Sequence, residues 1–184
     1  GREEARLISA DLMRTLSGKD DATFLYVDVG GGSTELNIVH EGELIDSRSF
    51  NLGTIRQISG MVRDEEREAF ATYLKELSEK YPKLHLVGTG GNINKLLRLG
   101  APAERANINV LPVESLRQVA ERLRPLTPEE RMLLFRLKPD RAEVIVPAAD
   151  IFLTVASITS STEIIVPTKG LADGIVDSIC PALS

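Results

Sequence analysis

The stretch Phe24-Leu-Tyr-Val-Asp-Val-Gly-Gly-Gly-Ser-Thr-Glu-Leu-Asn-Ile-Val39 predicts two strands joined by a short glycine loop. An apolar run precedes the loop, and alternating apolar residues, Leu36 and Ile38, follow it, which is typical of a β-hairpin. A flexible linker of the same composition would be flanked by polar residues instead. The hairpin is therefore the first structural element that the sequence indicates.

The loop of this hairpin has the composition of a phosphate-binding loop. Glycine allows φ > 0 and close approach of the backbone to a ligand, so we expect the amides of Gly30, Gly31, Gly32 and Ser33 to point at one anion. Asp28 ends the first strand, where a carboxylate can hold a divalent cation against that anion. The sequence therefore predicts a phosphate site with a neighbouring metal ligand.

A second segment predicts another anion site. The apolar strand His85-Leu-Val87 runs into Gly88-Thr-Gly-Gly-Asn92, and a helix follows until Gly100. A helix N-terminus presents free amides and a partial positive charge, which favours phosphate. The cations Lys95 and Arg98 lie one turn further on, where they would help bind a polyanion or simply form the polar face of the helix. A glycine turn of this kind also occurs for packing alone.

Composition limits the functional class. The chain has 184 residues, 42% of them hydrophobic, and a net charge of -5. We therefore expect a soluble globular protein with one core, no nucleic-acid surface and no membrane partner.

The single Cys180 excludes an intramolecular disulfide, and together with the lack of a recognisable signal peptide it predicts a cytoplasmic location. His40 and His85 are expected to pack at strand ends rather than to bind zinc.

Hydrophobic periodicity and turn residues predict the other elements. Strands are expected at about residues 44–50 and at Glu163–Val166, with a loop at residues 101–112 and a glycine turn at residues 169–174. Helices are expected at residues 2–17, from an N-capping Asp64 to about Lys80, at residues 114–124, after Thr127-Pro128 and at residues 141–159.

Four motifs together resemble one family. Glu3-Glu-Ala-Arg-Leu7, Asp28-Val-Gly-Gly-Gly-Ser-Thr-Glu35, Gly88-Thr-Gly-Gly-Asn-Ile-Asn-Lys95 and Arg141-Ala-Glu-Val-Ile-Val-Pro147 are similar to motifs of the exopolyphosphatase/guanosine pentaphosphate phosphohydrolase (Ppx/GppA) family. More broadly, the hairpin, the strand-loop-helix and the terminal Gly-Leu-x-Asp-Gly turn resemble the actin/Hsp70/sugar-kinase superfamily. The resemblance spans nearly all of the chain.

The resemblance implies an α/β fold of the actin-like superfamily, with a mixed sheet flanked by helices. It also implies Mg²⁺-dependent hydrolysis of terminal phosphate in polyphosphate or guanosine pentaphosphate, in a cleft between two actin-like domains. A homodimer is a further expectation. Residues 1–184 resemble the second of these domains. The first domain's Asp-x-Gly-Ser-Asn-Ser hairpin has no counterpart, and the chain begins at Gly1 within a helical pattern, so we interpret it as part of a longer protein.

The family's functional residues transfer motif by motif. Glu4 matches the proposed catalytic base that orients water, although a glutamate in a first helical turn is otherwise a common partner of the helix dipole. Glu35 matches a second acidic catalytic residue, although its strand position also suits a solvent-facing side chain. Asp28 matches the metal ligand. The implied phosphate-binding residues are Gly30, Gly31, Gly32, Ser33, Thr34, Gly88, Thr89, Gly90, Gly91, Asn92 and Lys95.

One departure and two alternative functions stay open. The family usually has arginine where this chain has Ala172, which affects substrate preference most directly. A kinase-like phosphotransferase would share both glycine segments, but the Glu3-Glu-Ala-Arg motif favours the hydrolase. A non-catalytic module that binds polyphosphate or a phosphorylated alarmone is the other alternative.

Overall fold

The computed structural model describes residues 22–41, 43–100, 103–105 and 108–167. The helix expected at residues 2–17 lies outside this part of the chain, and so do Glu4, the turn at residues 169–174, Ala172 and Cys180.

The predicted hairpin is confirmed and is part of a three-stranded meander. Strand β1 (Thr23–Val29) pairs antiparallel with β2 (Thr34–His40), which pairs antiparallel with β3 (Glu43–Phe50). The predicted third strand at about residues 44–50 is therefore confirmed as well. A short helix that the sequence did not indicate, α1 (Thr54–Ile58), follows directly.

The next part of the chain alternates helices and strands. Helix α2 (Asp64–Lys80) leads to β4 (Leu84–Thr89), and α3 (Gly90–Leu99) follows without a gap. The expected N-cap of α2 is wrong by one residue: Arg63 occupies the cap without a side-chain bond, and Asp64 lies in the first turn. There its charge still interacts favourably with the helix dipole.

The region expected to be a loop, residues 101–112, contains two strands. Strand β5 (Ala103–Arg105) pairs antiparallel with β6 (Ile108–Pro112), which also pairs with a later strand. The proline content suggested a loop, but Pro112 is the last residue of β6, where the missing amide costs no ladder bond.

The remaining elements agree with the sequence. They are α4 (Val113–Leu123), α5 (Pro128–Phe135), α6 (Pro139–Ile158) and β7 (Glu163–Val166). Thr127 caps α5 through a reciprocal capping box with Glu130, as its position before Pro128 predicts. No helix in the described ranges combines the length and hydrophobicity needed to cross a membrane.

All seven described strands form one mixed sheet in the order β3-β2-β1-β4-β7-β6-β5. Strands β1, β4 and β7 are parallel neighbours at its centre, and antiparallel strands extend it on both sides. Because β1 and β4 are parallel, their carboxyl ends lie at the same edge of the sheet. Each glycine-rich segment begins at one of those ends.

The main core lies against one face of the sheet. Leu25, Val27 and Val29 of β1 pack there with buried side chains of the helices, among them Ile145 and Phe152 of α6. Strand residues alternate between faces, so Asp28 must point to the opposite face. Asp28 and the main core therefore lie on opposite faces of β1.

The histidines pack at strand ends, as expected. His40 hydrogen-bonds the Thr23 hydroxyl at 2.8 Å across β1 and β2. His85 lies against the ring of Phe24, with ring centroids 5.3 Å apart. Burial lowers the pKa of His85, because a low-dielectric environment disfavours the imidazolium form.

Candidate functional site

A row of polar residues crosses four adjacent strands at the edge where β1 and β4 end. The register places them side by side: Ser49 on β3, Glu35 on β2, Asp28 on β1 and Thr89 on β4. Residues paired in this way point to the same face of a sheet, with about 4.8 Å between neighbouring strands. The two acidic residues that the resemblance implied, Asp28 and Glu35, are therefore neighbours on the face opposite the main core.

Two hydroxyl groups hold Glu35 in place. Ser33 Oγ donates to Glu35 Oε1 at 2.9 Å, and Ser49 Oγ donates to the same oxygen at 2.8 Å. Thr34 lies on the other face: it is fully buried, and its hydroxyl donates to the Leu52 carbonyl. Ser33 thus lines the candidate site, whereas the Thr34 side chain does not.

The carbonyl groups of the glycine loop are all bound by the segment at the start of α1. The bonds run from Thr54 N to Gly30 O (3.0 Å), from Ile55 N to Gly31 O (2.9 Å) and from Arg56 Nε to Gly32 O (2.8 Å). The carbonyl groups of three successive peptide bonds in the loop therefore all point towards the residues at the start of α1.

This arrangement fixes the direction of the loop amides. Every peptide bond among the described residues is trans, so each N–H points away from the C=O of its own peptide group. The amides of Gly31, Gly32 and Ser33 therefore point away from α1. The Gly30 amide is different, because it donates to the Ser33 carbonyl at 2.9 Å and closes the hairpin. Three of the four expected amides remain candidate donors to an anion.

Gly53 is a site residue that sequence reasoning missed. A Cβ on Gly53 would lie 2.4 Å from Gly31 O and 2.4 Å from Gly32 C, so only glycine lets α1 approach the loop. The available sequence signal was a glycine directly before a helix, and that pattern is too common to identify Gly53 as a site residue. The expectation of φ > 0 in the loop itself is wrong: in the described part of the chain, the positive-φ glycines are Gly60 and Gly90.

The second glycine segment is a corner between β4 and α3 rather than the expected loop. Gly90, with φ of +86°, turns the chain within one residue. A Cβ there would lie 2.6 Å from Asp28 Oδ1, so the carboxylate is packed against the start of α3. Gly88 is buried, and an added Cβ there would lie 2.7 Å from Ile93, so this glycine serves packing.

Asn92 and Arg141 join the two glycine segments. Asn92 is buried; its Nδ2 donates to Val29 O at 2.8 Å, next to the first glycine loop. Arg141 Nη1 donates to Asn92 Oδ1 at 2.5 Å, and the same guanidinium lies against Gly91. Arg141 belongs to a quoted motif, but its role was not predicted, because its partners come from another part of the chain.

The cations expected in the second segment, Lys95 and Arg98, take no part in the contacts described above. Lys95 is half-buried and Arg98 is exposed on α3. Among the described contacts, Arg141 is the cation beside Gly91 in the second segment, and Arg56 is the cation that binds Gly32 O in the first.

Burial raises the pKa of Asp28. Desolvation is the main cause; the negative charge of Glu35 raises it further, and a hydrogen bond from the Thr89 hydroxyl opposes both. The Thr89 hydroxyl also lies 3.4 Å from Val27 O, which is long for a hydrogen bond. A charged carboxylate here lacks full solvation, and a bound cation would compensate for it.

Asp28→Asn is expected to stabilise the fold at neutral pH. The raised pKa means that the folded state binds this proton more tightly, so the contribution of Asp28 to stability falls as pH rises from 3.8 through the folded-state pKa. The gain in unfolding free energy of Asp28→Asn over the wild type should therefore grow as pH rises from about 4 through the folded-state pKa of Asp28, and then level off. Denaturant titrations across this range test it, and a constant or reversed difference would contradict it.

The residues fit a partial magnesium shell. No group of three or more His, Cys, Asp or Glu side chains within the described ranges is placed to hold a metal by itself. Mg²⁺, however, is usually bound by one or two carboxylates, with waters and substrate phosphates as its other ligands. Asp28 and its neighbour Glu35 provide this set beside the glycine loop.

The chain matches the Ppx/GppA phosphatase family over residues 1–183. Exopolyphosphatase 2 of Mycobacterium tuberculosis is 30% identical to it, over 79% of this chain and 50% of that protein. The chain therefore spans about half the length of this curated relative.

Solved structures show the same fold. A crystal structure of the Aquifex aeolicus Ppx/GppA phosphatase, the type II variant, has a TM-score of 0.70 at 26% identity, covering 97% of this chain and 62% of that one. The crystal structure of an exopolyphosphatase from Cytophaga hutchinsonii has a TM-score of 0.69 at 22% identity, covering 98% of this chain and 64% of that one. At this level of identity the match supports the fold alone. The expected actin-like α/β class is confirmed. The chain belongs to the Ppx/GppA phosphatase family.

Proposed function

We propose that the full natural chain hydrolyses terminal phosphoanhydride bonds of inorganic polyphosphate or guanosine pentaphosphate. The observation that carries this proposal is the common edge of the sheet, where three loop amides facing away from α1 lie near two adjacent carboxylates. Amides bind phosphate without net protein charge, which suits a chain whose net charge is -5. The names of the relatives support the same chemistry.

Each group has a distinct role in the proposed reaction. The amides of Gly31, Gly32 and Ser33 bind phosphate oxygens, and Arg141 adds positive charge beside Gly91. Asp28 and Glu35 would hold Mg²⁺, which neutralises charge on the transferred phosphoryl group when it is bound.

Hydrolysis itself needs a water and a base. In the proposed step, water attacks the terminal phosphorus while the bond to the bridging oxygen breaks, and the shortened chain leaves with that oxygen. Glu4 accepts the proton of the water. Phosphoryl transfer depends mainly on positioning and charge stabilisation, so one correctly placed carboxylate is sufficient.

The relatives suggest that this domain does not act alone. Because the chain spans about half of the Mycobacterium tuberculosis relative, we propose that a second actin-like domain of the same natural protein completes the cleft. Residues 1–184 by themselves should then release phosphate poorly or not at all. A homodimer and a cytoplasmic location remain predictions.

Phosphate release tests the proposed function. We expect the full natural chain to release orthophosphate from polyphosphate or guanosine pentaphosphate with Mg²⁺, and to stop when the metal is chelated. Residues 1–184 assayed in parallel serve as the control for the second domain. Transfer of phosphate to an acceptor other than water would indicate a phosphotransferase. Binding of polyphosphate without turnover would indicate a regulatory module, and either result would overturn the hydrolase.

A further inference from the structure

Ser33 has two possible hydrogen-bond partners for one proton. In the described structure its hydroxyl donates to Glu35 Oε1 at 2.9 Å. The same residue belongs to the loop proposed to bind phosphate, and phosphate oxygens accept hydrogen bonds. A serine hydroxyl carries a single hydrogen, so Ser33 cannot donate to Glu35 and to a phosphate at the same time.

Ser49 provides a second bond to the same carboxylate. Its hydroxyl donates to Glu35 Oε1 at 2.8 Å, from the register position directly opposite on β3. The Ser33 and Ser49 hydroxyls both donate to Glu35 Oε1. Among the described contacts, Glu35 Oε2 is therefore the oxygen that can bind a water or a cation. The orientation of the carboxylate therefore depends on which hydroxyls hold Oε1.

Ser49 is badly placed to bind substrate directly. It lies on the far side of Glu35 from Asp28, two strands away and therefore about 10 Å from it. It is also exposed on β3, one of the two edge strands of the sheet that the described residues form, so its side chain is not required for the core. Its contact with Glu35 is the feature that connects it to the site.

We propose that Ser49 is the positioning residue that keeps Glu35 oriented when the Ser33 hydroxyl turns to the substrate phosphate. This rests on the proposed function, because it assumes that phosphate binds at the glycine loop. The Ser33 hydroxyl then has one partner in each state: it donates to Glu35 before the substrate binds and to the substrate phosphate afterwards. Ser49 holds Glu35 in both states, so Oε2 stays aimed while the loop is occupied.

A matched pair of serine variants tests this role. Ser47 lies two residues from Ser49 on the same face of β3, and its hydroxyl donates to Asn37 Oδ1 at 2.6 Å in the same manner. Ser49→Ala in the full natural chain should lower kcat about tenfold, the effect of losing one hydrogen bond to a charged group, with KM changed by less than about twofold. Ser47→Ala should leave both constants unchanged, and Ser49→Thr should restore kcat.

A variant of Ser33 distinguishes phosphate binding by Ser33 from orientation of Glu35 by Ser49. Ser33→Ala should raise KM, because it removes a phosphate contact while Ser49 still holds Glu35. Equal kinetics for Ser49→Ala and Ser47→Ala would overturn the proposal. So would a Ser49→Ala effect that appears in KM alone.

Crystallography tests the same inference without activity. In Ser33→Ala the Glu35 carboxylate should keep its position, whereas in the double variant Ser33→Ala/Ser49→Ala it should change rotamer. An unmoved Glu35 in the double variant would refute the positioning role, even if the enzyme is active. Absence of phosphate release from the wild type would instead refute the proposed function, and the crystal structures would still decide whether Ser49 orients Glu35.

Discussion

Gly53→Ala is expected to weaken binding of a short polyphosphate to the full natural chain about a hundredfold while the protein stays folded. The added Cβ would lie 2.4 Å from the Gly31 carbonyl oxygen, and backbone cannot move aside as a side chain can. The loop must then separate from α1 and lose the bonds that orient its amides. Losing the equivalent of one or two charge-assisted hydrogen bonds is on the order of 3 kcal/mol, which corresponds to about a hundredfold.

Gly31→Ala is the matched control for this change. Its Cβ would meet Ile55 Cδ1 at 3.0 Å, which is the end of an exposed and flexible side chain. We expect a much smaller loss of affinity, since Ile55 can change rotamer. Isothermal titration with tripolyphosphate measures both variants, and circular dichroism checks that they are folded. Equal affinities for Gly53→Ala and the wild type would show that the contact with α1 does not set the amide directions.

Glu4→Gln is expected to lower kcat by about a hundredfold or more and to leave substrate affinity nearly unchanged. The amide keeps the shape of the side chain but cannot accept a proton from the attacking water. A group that acts only in the transition state changes kcat rather than binding. This prediction comes from the family motif, since Glu4 lies outside the described residues.

Glu3→Gln provides the control for this second change. Glu3 is the preceding residue of the same motif and carries the same charge, so any helix dipole at the expected helix would affect both residues alike. Steady-state rates of phosphate release from the full natural chain measure both variants. If Glu3→Gln and Glu4→Gln lower kcat equally, the effect is one of charge, and Glu4 is not the base.

Local signals in the sequence were sufficient for the main elements. The alternation of Leu36 and Ile38 identified β2, and Thr127 before Pro128 identified the start of α5. Such patterns predict strands and helix starts correctly because the strand period and the helix cap are determined by residues that are neighbours in sequence. The stretch at residues 101–112 was missed because β6 is stabilised by its pairing with β7, which is distant in sequence.

The candidate site was predicted in composition but not in geometry. The motifs identified Asp28, Glu35 and Ser33, and the structure brings them to one edge of the sheet. The roles of Gly53 and Arg141 were not predictable, because each depends on contact with a segment far along the chain. Thr34 belongs to the motif by sequence, yet strand alternation turns its side chain into the core.

The sequence by itself determined the hairpin through local periodicity, and the resemblance of its motifs to those of a known family indicated the family and the actin-like class. Tertiary structure alone decided which groups face the substrate. The direction of the loop amides depends on hydrogen bonds from Thr54, Ile55 and Arg56, more than twenty residues further along the chain. The raised pKa of Asp28 likewise depends on burial against Gly90 and on the charge of Glu35. Both are properties of packing in three dimensions, which no local pattern of residues encodes.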